Sequence, residues 1–557
     1  MSTEIQSIST SSKFRFGNDP VQVSDRTYFM DAANMNLTTF PLDILLLKEL
    51  EEVHLENNQI DEIPTDIENL ENVRILYLNK NKLSKLCPEL GKLSKLEGLD
   101  LSNNPLLGSS LHVLGNIHSL RELRLYNSNL EEIPVDICKF LHHLELLGLS
   151  GNNLKALPRE VMTQIKLREI YLKHNQFENF PPELCMLPNL EIIDFDENKL
   201  SIIPEEIKDL KKLQKFYVAY NNLSFLPESL GQCSYLSVLD LSYNYLHSIP
   251  QSLAGLLEMT ELGLSGNNLG KIPQFICKWT SLHLLYLMNT GLPALRRSFR
   301  HLINLRFLDL SQNLLDCCPQ FICTMKNLEI LALDDNKLWK LPSDFGSLSE
   351  LKILGLSGNQ FFAFPEEILS LESLEKLYIG QDMGNKFTSL PENIHMLQNL
   401  QELYIENNEL ESLPQSLGQM PNLKILDCRH NLLKQLPDTI CEAQGLTELL
   451  LDHNLLTHLP YNLDSLVNLN VLTVENNPME EPPMEECIKG CQAIWEYLKS
   501  LRTKITMTTK IQAWWRGIMV RKGLGKFEEL RLQKKGKNSA KDKKDGKKLP
   551  KKQKKKA

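Results

Sequence analysis

Apolar residues recur along most of the chain with a period of 23 residues. Residues 328–350 read LEILALDDNKLWKLPSDFGSLSE, and the pattern returns in residues 305–327 and 351–373. The alternating L-x-L segment predicts a short strand whose two leucines face inward and whose middle residue faces outward. The Asn that follows can satisfy backbone groups of a turn, and the Pro begins a short helix or an extended return segment. Each unit is therefore predicted to form one coil.

This coil occurs twenty times. Its Asn position falls at residues 35, 58, 81, 104, 128, 152, 175, 198, 221, 244, 267, 290, 313, 336, 359, 385, 408, 431, 454 and 477. Seventeen of these residues are Asn, and the others are Met35, Ser128 and Thr290. Three extra residues precede Asn385 and predict a bulge, which is either part of a binding face or a neutral insertion. Because no single coil can bury its own apolar face, the coils are expected to stack as a solenoid.

These units resemble leucine-rich repeats. The resemblance implies an α/β solenoid, a leucine-rich-repeat horseshoe with a parallel concave sheet. The sequence after the repeats predicts a C-terminal helix and a disordered basic tail. The predicted divisions are a flexible N-terminal segment at 1–27, a solenoid of about 20 repeats at 28–480, a capping helix at 481–503, a second helix at 504–532 and a Lys-rich tail at 533–557.

The outward middle positions of the predicted strands are rich in Tyr and Asp. Tyrosine offers rigid contact area, and aspartate favours a basic partner, so we expect an unidentified protein partner on this concave face. The alternative is that these residue types merely suit an exposed sheet. The candidate partner-binding residues are Tyr77, Asp100, Tyr171, Asp194, Tyr217, Asp240, Tyr286, Asp309, Tyr378, Tyr404 and Asp427, with Arg124, Gly148 and Gly263 in the same row.

Charge is distributed unevenly along the chain. Residues 499–557 hold 22 Lys+Arg against 4 Asp+Glu, a net of +18, whereas the whole chain has −9, so residues 1–498 carry −27. From 534 to 557, thirteen residues are Lys, and this segment is predicted to be disordered. Without aromatic residues it is not expected to bind nucleic acid sequence-specifically. It is expected either to contact an anionic surface, such as lipid, RNA, acidic filament tails or the acidic solenoid, or to act as a solvated tail.

After Pro482 and Pro483 the apolar period changes to three and four residues, which predicts a helix that covers the last coil. Cys487 and Cys491 lie four residues apart within it. Packing is favoured over metal binding, because no second ligand pair at zinc spacing is nearby. The stripe comprises Met484, Cys487, Ile488, Cys491, Ile494, Trp495 and Leu498.

A basic amphipathic segment follows at residues 511–524, IQAWWRGIMVRKGL. It matches the IQ motif, I-Q-x-x-x-R-G-x-x-x-R-x-x-L, at every defined position, and with the repeats it resembles the leucine-rich repeat and IQ domain-containing proteins. This resemblance implies binding of calmodulin or a calmodulin-like EF-hand protein, with Ile511 inserted into a lobe, Gln512 bonded to the linker and two arginines facing acidic groups. The alternative is a plain extension of the capping helix. The candidate residues are Ile511, Gln512, Trp515, Arg516, Gly517, Ile518, Arg521 and Leu524.

No catalytic constellation is found, so no enzyme activity, cofactor or metal is expected. Gly148-Leu149-Ser150-Gly151-Asn152 resembles a nucleophile elbow, but the string recurs at Gly263 and Gly355 in register with the repeat. The twelve cysteines indicate a reducing compartment, and five of them, at the same position of their repeats, are predicted to be buried thiols: Cys138, Cys185, Cys277, Cys323 and Cys441. Because the sequence has no 18-residue apolar run, no transmembrane segment is expected. Because it has no apolar signal segment, a cytoplasmic location is expected, with association with the cytoskeleton or cilium as a further option.

The leading hypothesis is an intracellular scaffold or adaptor in signal transduction, which holds a protein on the concave face and calmodulin on the IQ helix. One alternative is a regulatory subunit of a signalling phosphatase or of a small GTPase pathway. Another is a cytoskeletal, ciliary or membrane-surface tether that uses the basic tail.

Overall fold

The computed structural model describes the backbone of residues 15–18 and the whole of residues 28–522. The chain divides into two compact units, Met1–Phe387 (unit 1) and Thr388–Ala557 (unit 2). The strands of unit 1 are β1 Arg15–Asn18, β2 Tyr28–Asp31, β3 Glu52–His54, β4 Ile75–Tyr77, β5 Gly98–Asp100, β6 Glu122–Arg124, β7 Leu146–Gly148, β8 Glu169–Tyr171, β9 Ile192–Asp194, β10 Lys215–Tyr217, β11 Val238–Asp240, β12 Glu261–Gly263, β13 Leu284–Tyr286, β14 Phe307–Asp309, β15 Ile330–Ala332, β16 Ile353–Gly355 and β17 Lys376–Tyr378. Unit 2 contains β18 Glu402–Tyr404, β19 Ile425–Asp427, β20 Glu448–Leu450 and β21 Val471–Thr473.

The strands pair in chain order within each unit. In unit 1, β2 to β17 form a parallel ladder in which each residue faces its counterpart in the next coil, as Tyr217 faces Asp240. In unit 2, β18 to β21 pair in the same way. The exception is β1, which lies in the segment predicted to be flexible and pairs antiparallel with β2. The predicted parallel solenoid is confirmed.

Each coil returns through a short segment that is mostly 3₁₀ helix. A proline commonly precedes this segment, as Pro204 does with φ −73°, because its fixed φ suits the entry and no backbone donor is needed there. One return segment is α-helical, α1 Val135–Phe140. The 3₁₀ segments are Leu42–Leu46, Thr65–Asn69, Pro88–Lys92, Gly108–Asn116, Arg159–Thr163, Pro182–Met186, Glu205–Asp209, Glu228–Gln232, Gln251–Gly255, Gln274–Lys278, Arg297–His301, Gln320–Thr324, Phe345–Ser347 and Glu366–Ser370 in unit 1, and Glu392–Met396, Gln415–Gln419, Asp438–Glu442 and Leu463–Ser465 in unit 2.

A ladder of buried amides runs through the turns beside the apolar core. Asn244 donates from Nδ2 to the carbonyls of Val218 (2.9 Å) and Leu241 (3.0 Å), and its Oδ1 accepts the N–H of Leu223 at 3.0 Å. One side chain thus satisfies backbone groups of two successive coils, each of which would cost about 1–3 kcal/mol if buried unpaired. These bonds confirm the predicted role of the repeated Asn, which is to satisfy backbone groups of the turn.

The insertion before Asn385 changes which residue enters this ladder. Gln381 is fully buried, and its Oε1 accepts the N–H of Asn359 at 3.1 Å. Asn385, which the sequence spacing assigns to the ladder, is half-buried and donates from Nδ2 to the carbonyl of Gln360 at 3.1 Å. The longer side chain of Gln381 therefore satisfies the turn, and the extra residues leave Met383 exposed.

Unit 2 ends in two helices, α2 Met484–Cys487 and α3 Cys491–Lys522. Cys487, Ile494 and Leu498 are buried, as the apolar stripe predicts for a helix that covers the last coil, whereas Ile488 is exposed. The predicted capping and IQ segments share α3, since the structure has no break between residues 503 and 504. The guanidinium of Arg502 donates to Asn462 Oδ1 and to Asp464 Oδ2, which fixes the first part of α3 to the preceding coil.

Candidate interaction surfaces

The parallel register places the Tyr and Asp residues predicted on the concave face in one row. Across β8 to β14 the outward residues alternate side by side, and we call this series the strand row: Tyr171, Asp194, Tyr217, Asp240, Gly263, Tyr286 and Asp309. Its tyrosines and aspartates are half-buried. Tyr77 and Asp100 lie earlier in the same ladder, and Tyr378 lies beyond Ala332 and Gly355. Tyr404 and Asp427 belong to unit 2.

The aspartates of the strand row also stabilise the backbone. An Oδ1 atom accepts the N–H two residues later in Asp194 (3.0 Å), Asp240 (2.9 Å) and Asp309 (2.9 Å). This bond satisfies the donor that follows the strand and leaves the second carboxylate oxygen for other contacts. The choice of Asp at this position therefore has a structural cause in addition to any role in binding.

Asp427 differs from these residues. Its carboxylate accepts the backbone N–H of Arg429 at 3.0 Å and forms an ion pair with the guanidinium of the same residue at 2.6 Å. The residue is only 1% exposed, because the arginine covers it. The expectation that Asp427 faces a partner does not agree with this geometry.

Asp196, which is not among the residues predicted from the sequence, lies next to the strand row. Its Oδ1 accepts the N–H of Ala219 in the following coil at 2.7 Å. Burial, and then the neighbouring charge of Asp194, raise the pKa of Asp196 to about 7. Asp196 lies two residues before the ladder residue Asn198. Ser102 holds the same position in another coil and accepts the equivalent N–H from Tyr126, so this repeat position favours a side chain that accepts a hydrogen bond.

Negative charge is only partly balanced around β9 to β12. Burial raises the pKa of Asp194, and burial followed by the charge of Asp240 raises the pKa of Glu261. The nearby Lys173 is engaged by Glu197 at 3.0 Å. This part of the surface is therefore suited to a cationic partner.

Glycines in and beside the strand row make room for larger side chains of the preceding coil. A Cβ atom on Gly263 would lie 2.1 Å from Asp240 Oδ1, and one on Gly266 would lie 2.5 Å from the ring of Tyr243. Tyr243 in turn stacks on Tyr220 with ring centroids 4.3 Å apart. The G-L-S-G-N string at this position thus has a packing role, as its register with the repeat predicts.

The last part of α3 is a second surface. Residues 503–516 are all exposed, with Ile511 62%, Trp514 62% and Trp515 56% exposed. Ile511, Trp515 and Ile518 share one helix face because they are four and three residues apart. The side-chain hydrogen bonds described beyond Arg502 are internal to the helix, from Thr503 to the carbonyl of Lys499 and from Thr508 to that of Lys504.

The structure places the predicted IQ residues on this projecting helix. Gln512, Arg516 and Arg521 are exposed, whereas Gly517 and Ile518 are half-buried. Leu524 and the Lys-rich tail lie outside the described residues. The helix combines exposed apolar and cationic side chains, an arrangement that suits the hydrophobic groove of an acidic partner.

The buried cysteines have little nucleophilic character. All twelve are free thiols, and burial raises the pKa of Cys138 to about 12. Within residues 28–522, no group of three or more His, Cys, Asp or Glu side chains is arranged to hold a metal ion. No helix in the same part of the chain is sufficiently long and apolar to span a bilayer.

Comparison with known sequences agrees with the architecture. The leucine rich repeat family profile matches residues 48–106, 118–177, 165–223, 212–269 and 398–456. These matches and the parallel ladder show that the chain has the leucine-rich-repeat solenoid fold. It is similar to leucine-rich repeat and IQ domain-containing protein 4 of human, with 66% identity over 187 residues, and to that of mouse, with 64% identity over 169 residues. The human alignment covers 34% of this chain and 33% of the relative, and the mouse alignment covers 30% and 28%.

Solved leucine-rich-repeat structures share the fold. A leucine-rich-repeat protein of Leptospira interrogans has a TM-score of 0.53 at 27% identity, over 81% of this chain and 96% of that one. The Arabidopsis receptor kinase HAESA, solved with the peptide hormone IDA and the co-receptor SERK1, has a TM-score of 0.52 at 26% identity, over 82% and 88%.

Proposed function

We propose that this leucine-rich-repeat protein is a non-enzymatic scaffold in signal transduction. In this proposal the strand row binds a protein with a basic surface, and the projecting part of α3 binds calmodulin or a related EF-hand protein. The observation that carries the proposal is the exposed apolar and cationic face of α3, whose Ile511 and Trp515 are not used in packing the last coil. The names of the human and mouse relatives, which include an IQ domain, support the same assignment.

Calmodulin binding is tested with the full-length protein and a double substitution in the motif. Ile511→Ala with Arg516→Ala removes an apolar anchor and a cation while keeping good helix formers. We expect the affinity for calmodulin, measured by titration calorimetry with calcium and with chelator, to fall at least about 30-fold. The thermal unfolding midpoint should not change, because both residues are exposed.

The matched control is Lys504→Ala with Met507→Ala, which removes the same kinds of side chain from an exposed part of the same helix. It should keep its affinity within about twofold. Equal affinities of the motif variant and the control variant would reject the calmodulin assignment.

The strand-row assignment rests on the partly balanced carboxylates of β9 to β12. The HAESA structure, which contains a peptide hormone and a co-receptor, is consistent with a repeat solenoid that binds polypeptides. Asp194→Asn with Asp240→Asn removes two charges and retains the oxygens that accept the N–H groups of Asp196 and Ser242. We expect a strand-row partner, once purified, to bind this variant at least about tenfold more weakly.

The control for this second test is Glu205→Gln with Glu206→Gln. These exposed residues lie on the return segment Glu205–Asp209, so the control removes the same charge away from the strand row. A partner that is weakened equally by both double variants responds to net charge, and the strand row would then not be its binding surface.

A further inference from the structure

Most return segments of unit 1 have acidic residues in their first turns, and the exceptions are the segment Gly108–Asn116 and one band of successive segments. The first turns of these segments contain Asp43, Asp66, Glu68, Glu89, Asp136, Glu160, Glu183, Glu205, Glu206, Glu228, Glu366 and Glu367. Five successive segments, from Gln251–Gly255 to Phe345–Ser347, have no acidic residue in the first turn. The side of the coils away from the strand row therefore changes its electrostatic character within this band.

Arginines occupy the centre of the band. Arg296 stands where most coils have the proline that precedes the return segment, and Arg297 begins Arg297–His301. Arg296, Arg297 and Arg300 are all exposed. None of the three forms an ion pair with a residue in the part of the chain that the structure describes, and Arg300 Nε donates to His301 Nε2 at 3.4 Å.

Neighbouring coils extend the positive charge. The return segments before and after Arg297–His301 pack against it. Exposed Lys278 ends the preceding segment, and exposed Lys326 follows the next one. We call Lys278, Arg296, Arg297, Arg300 and Lys326 the basic patch.

The local composition agrees with this geometry. Residues 262–327 contain seven Lys+Arg and two Asp, although the chain as a whole is acidic. Asp309 belongs to the strand row, where its carboxylate accepts the N–H of Ser311. Asp316 follows a ladder turn and precedes the next return segment, Gln320–Thr324. The basic patch therefore has no acidic residue on its own return segments.

We propose that the basic patch docks an acidic segment of a partner protein that carries several Asp and Glu side chains. Exposed guanidinium groups can donate two parallel hydrogen bonds to a carboxylate, which a lysine ammonium does not match in geometry. The three arginines have no acidic partner within the described chain, so charge complementarity identifies the occupant. The proposal concerns a surface separate from the strand row and from α3.

Two other anionic partners fit the patch less well. A membrane surface would require apolar side chains to insert beside the cations, and Ile303, 55% exposed, is the single large apolar residue exposed in residues 290–310. Single-stranded nucleic acid would require exposed aromatic residues for stacking, but the nearby Trp279 is 1% exposed and Phe299 is also 1% exposed.

The test uses full-length protein and a fluorescent 16-residue peptide that alternates Asp and Glu with Gly and Ser. Fluorescence anisotropy at low and physiological salt should detect binding that weakens as salt rises. The variant Arg296→Gln, Arg297→Gln and Arg300→Gln should bind the peptide at least tenfold more weakly. The matching peptide with Asn and Gln in place of Asp and Glu should not bind.

The matched control replaces three exposed cations on and just after the acid-bearing return segment Glu205–Asp209, with Lys208→Gln, Lys211→Gln and Lys212→Gln. It removes the same net charge and should keep its affinity within about twofold. If the arginine triple variant has a lowered thermal unfolding midpoint, Arg297→Gln with Arg300→Gln replaces it and should still weaken binding at least fivefold.

Several outcomes would overturn the proposal. The first is an absence of acidic-peptide binding at low salt, and the second is an equal loss of peptide affinity in the arginine and lysine variants. The third is binding of phosphatidylserine vesicles or single-stranded RNA that is tighter than binding of the peptide and that the arginine variant abolishes. Self-association in sedimentation that disappears in the same variant would assign the patch to a second copy of the chain instead. Calmodulin affinity should be the same in the arginine variant and the wild type, so this test is independent of the function assigned to α3.

Discussion

The side chains of the strand row and those of α3 beyond Arg502 both contact solvent, but their relations to the rest of the chain differ. In the strand row, the carboxylates of Asp194, Asp240 and Asp309 also accept backbone N–H groups. On α3, Ile511 and Trp515 are exposed by more than half of their surface, and their burial contributes little to the fold.

This difference changes how an exposed residue is interpreted in a repeat protein. When the same residue type recurs at one position of successive coils, a structural role at that position explains in part why the residue is there. Where a side chain departs from the repeat, as Arg296 does at the proline position, no recurring role accounts for it. Exposed departures are therefore the better candidates for binding, and substitutions can separate the two classes by their effects on stability.

The largest stability effect is expected in the amide ladder. Asn267 is fully buried, donates to the carbonyls of Leu241 and Leu264 at 2.9 and 3.0 Å, and accepts the N–H of Leu246 at 2.9 Å. Asn267→Ala leaves these groups unpaired at about 1–3 kcal/mol each, and should lower the free energy of unfolding by about 3–5 kcal/mol. Urea denaturation followed by circular dichroism measures this change.

The adjacent Asn268 provides the control, since its side chain is exposed. Asn268→Ala should change the free energy of unfolding by less than about 0.5 kcal/mol. Similar urea midpoints for the two variants would mean that the amide ladder does not support the solenoid.

A smaller and pH-dependent effect is expected at Asp196. Its pKa is raised to about 7, so the folded state holds this proton more tightly than the unfolded chain does. The contribution of Asp196 to stability should therefore fall as the pH rises from about 4 to about 7, and Asp196→Asn should lack this contribution. At pH 8 the variant should be more stable than the wild type by roughly 1–4 kcal/mol. This range follows from the rise of the Asp196 pKa from its ordinary value to about 7, with the effect reduced because the residue is partly exposed.

Asparagine can still accept the N–H of Ala219, so the variant removes the charge without removing the bond. Thermal unfolding at pH 4 and pH 8 measures the difference. An equal gain at both pH values would show that packing, rather than ionisation of Asp196, separates the variant from the wild type.

The sequence predicted the coil, the strand and the ladder because a strict 23-residue period leaves one way to bury the leucines. It could not identify Gln381 as the ladder residue, since an insertion breaks the spacing that identifies the others. It also could not reveal that Arg429 covers Asp427, or that Asp194 lies near enough to Asp196 to raise its pKa. These features depend on distances between side chains, which a repeat pattern does not encode.

The candidate site on α3 could be predicted more fully, because a helix fixes the relative positions of residues three and four apart. The exposed positions of Ile511, Gln512, Trp515 and Arg516 agree with the amphipathic pattern. The capping and IQ segments form one helix, which agrees with the alternative that the IQ segment extends the capping helix, because no Gly or Pro lies between Leu498 and Ile511. Calmodulin binding stays a prediction.

The smallest stability effect is expected from the aromatic residues of α3. Trp514→Ala with Trp515→Ala removes two large side chains that are 62% and 56% exposed, and should change the free energy of unfolding by less than about 0.5 kcal/mol. Trp279 is 1% exposed, and Trp279→Ala should cost about 3–5 kcal/mol through loss of packing. Urea denaturation compares the two variants directly. A cost for the α3 pair near that of Trp279 would mean that these tryptophans pack against the protein in solution, and the surface assigned to an EF-hand partner would then not be free to bind it.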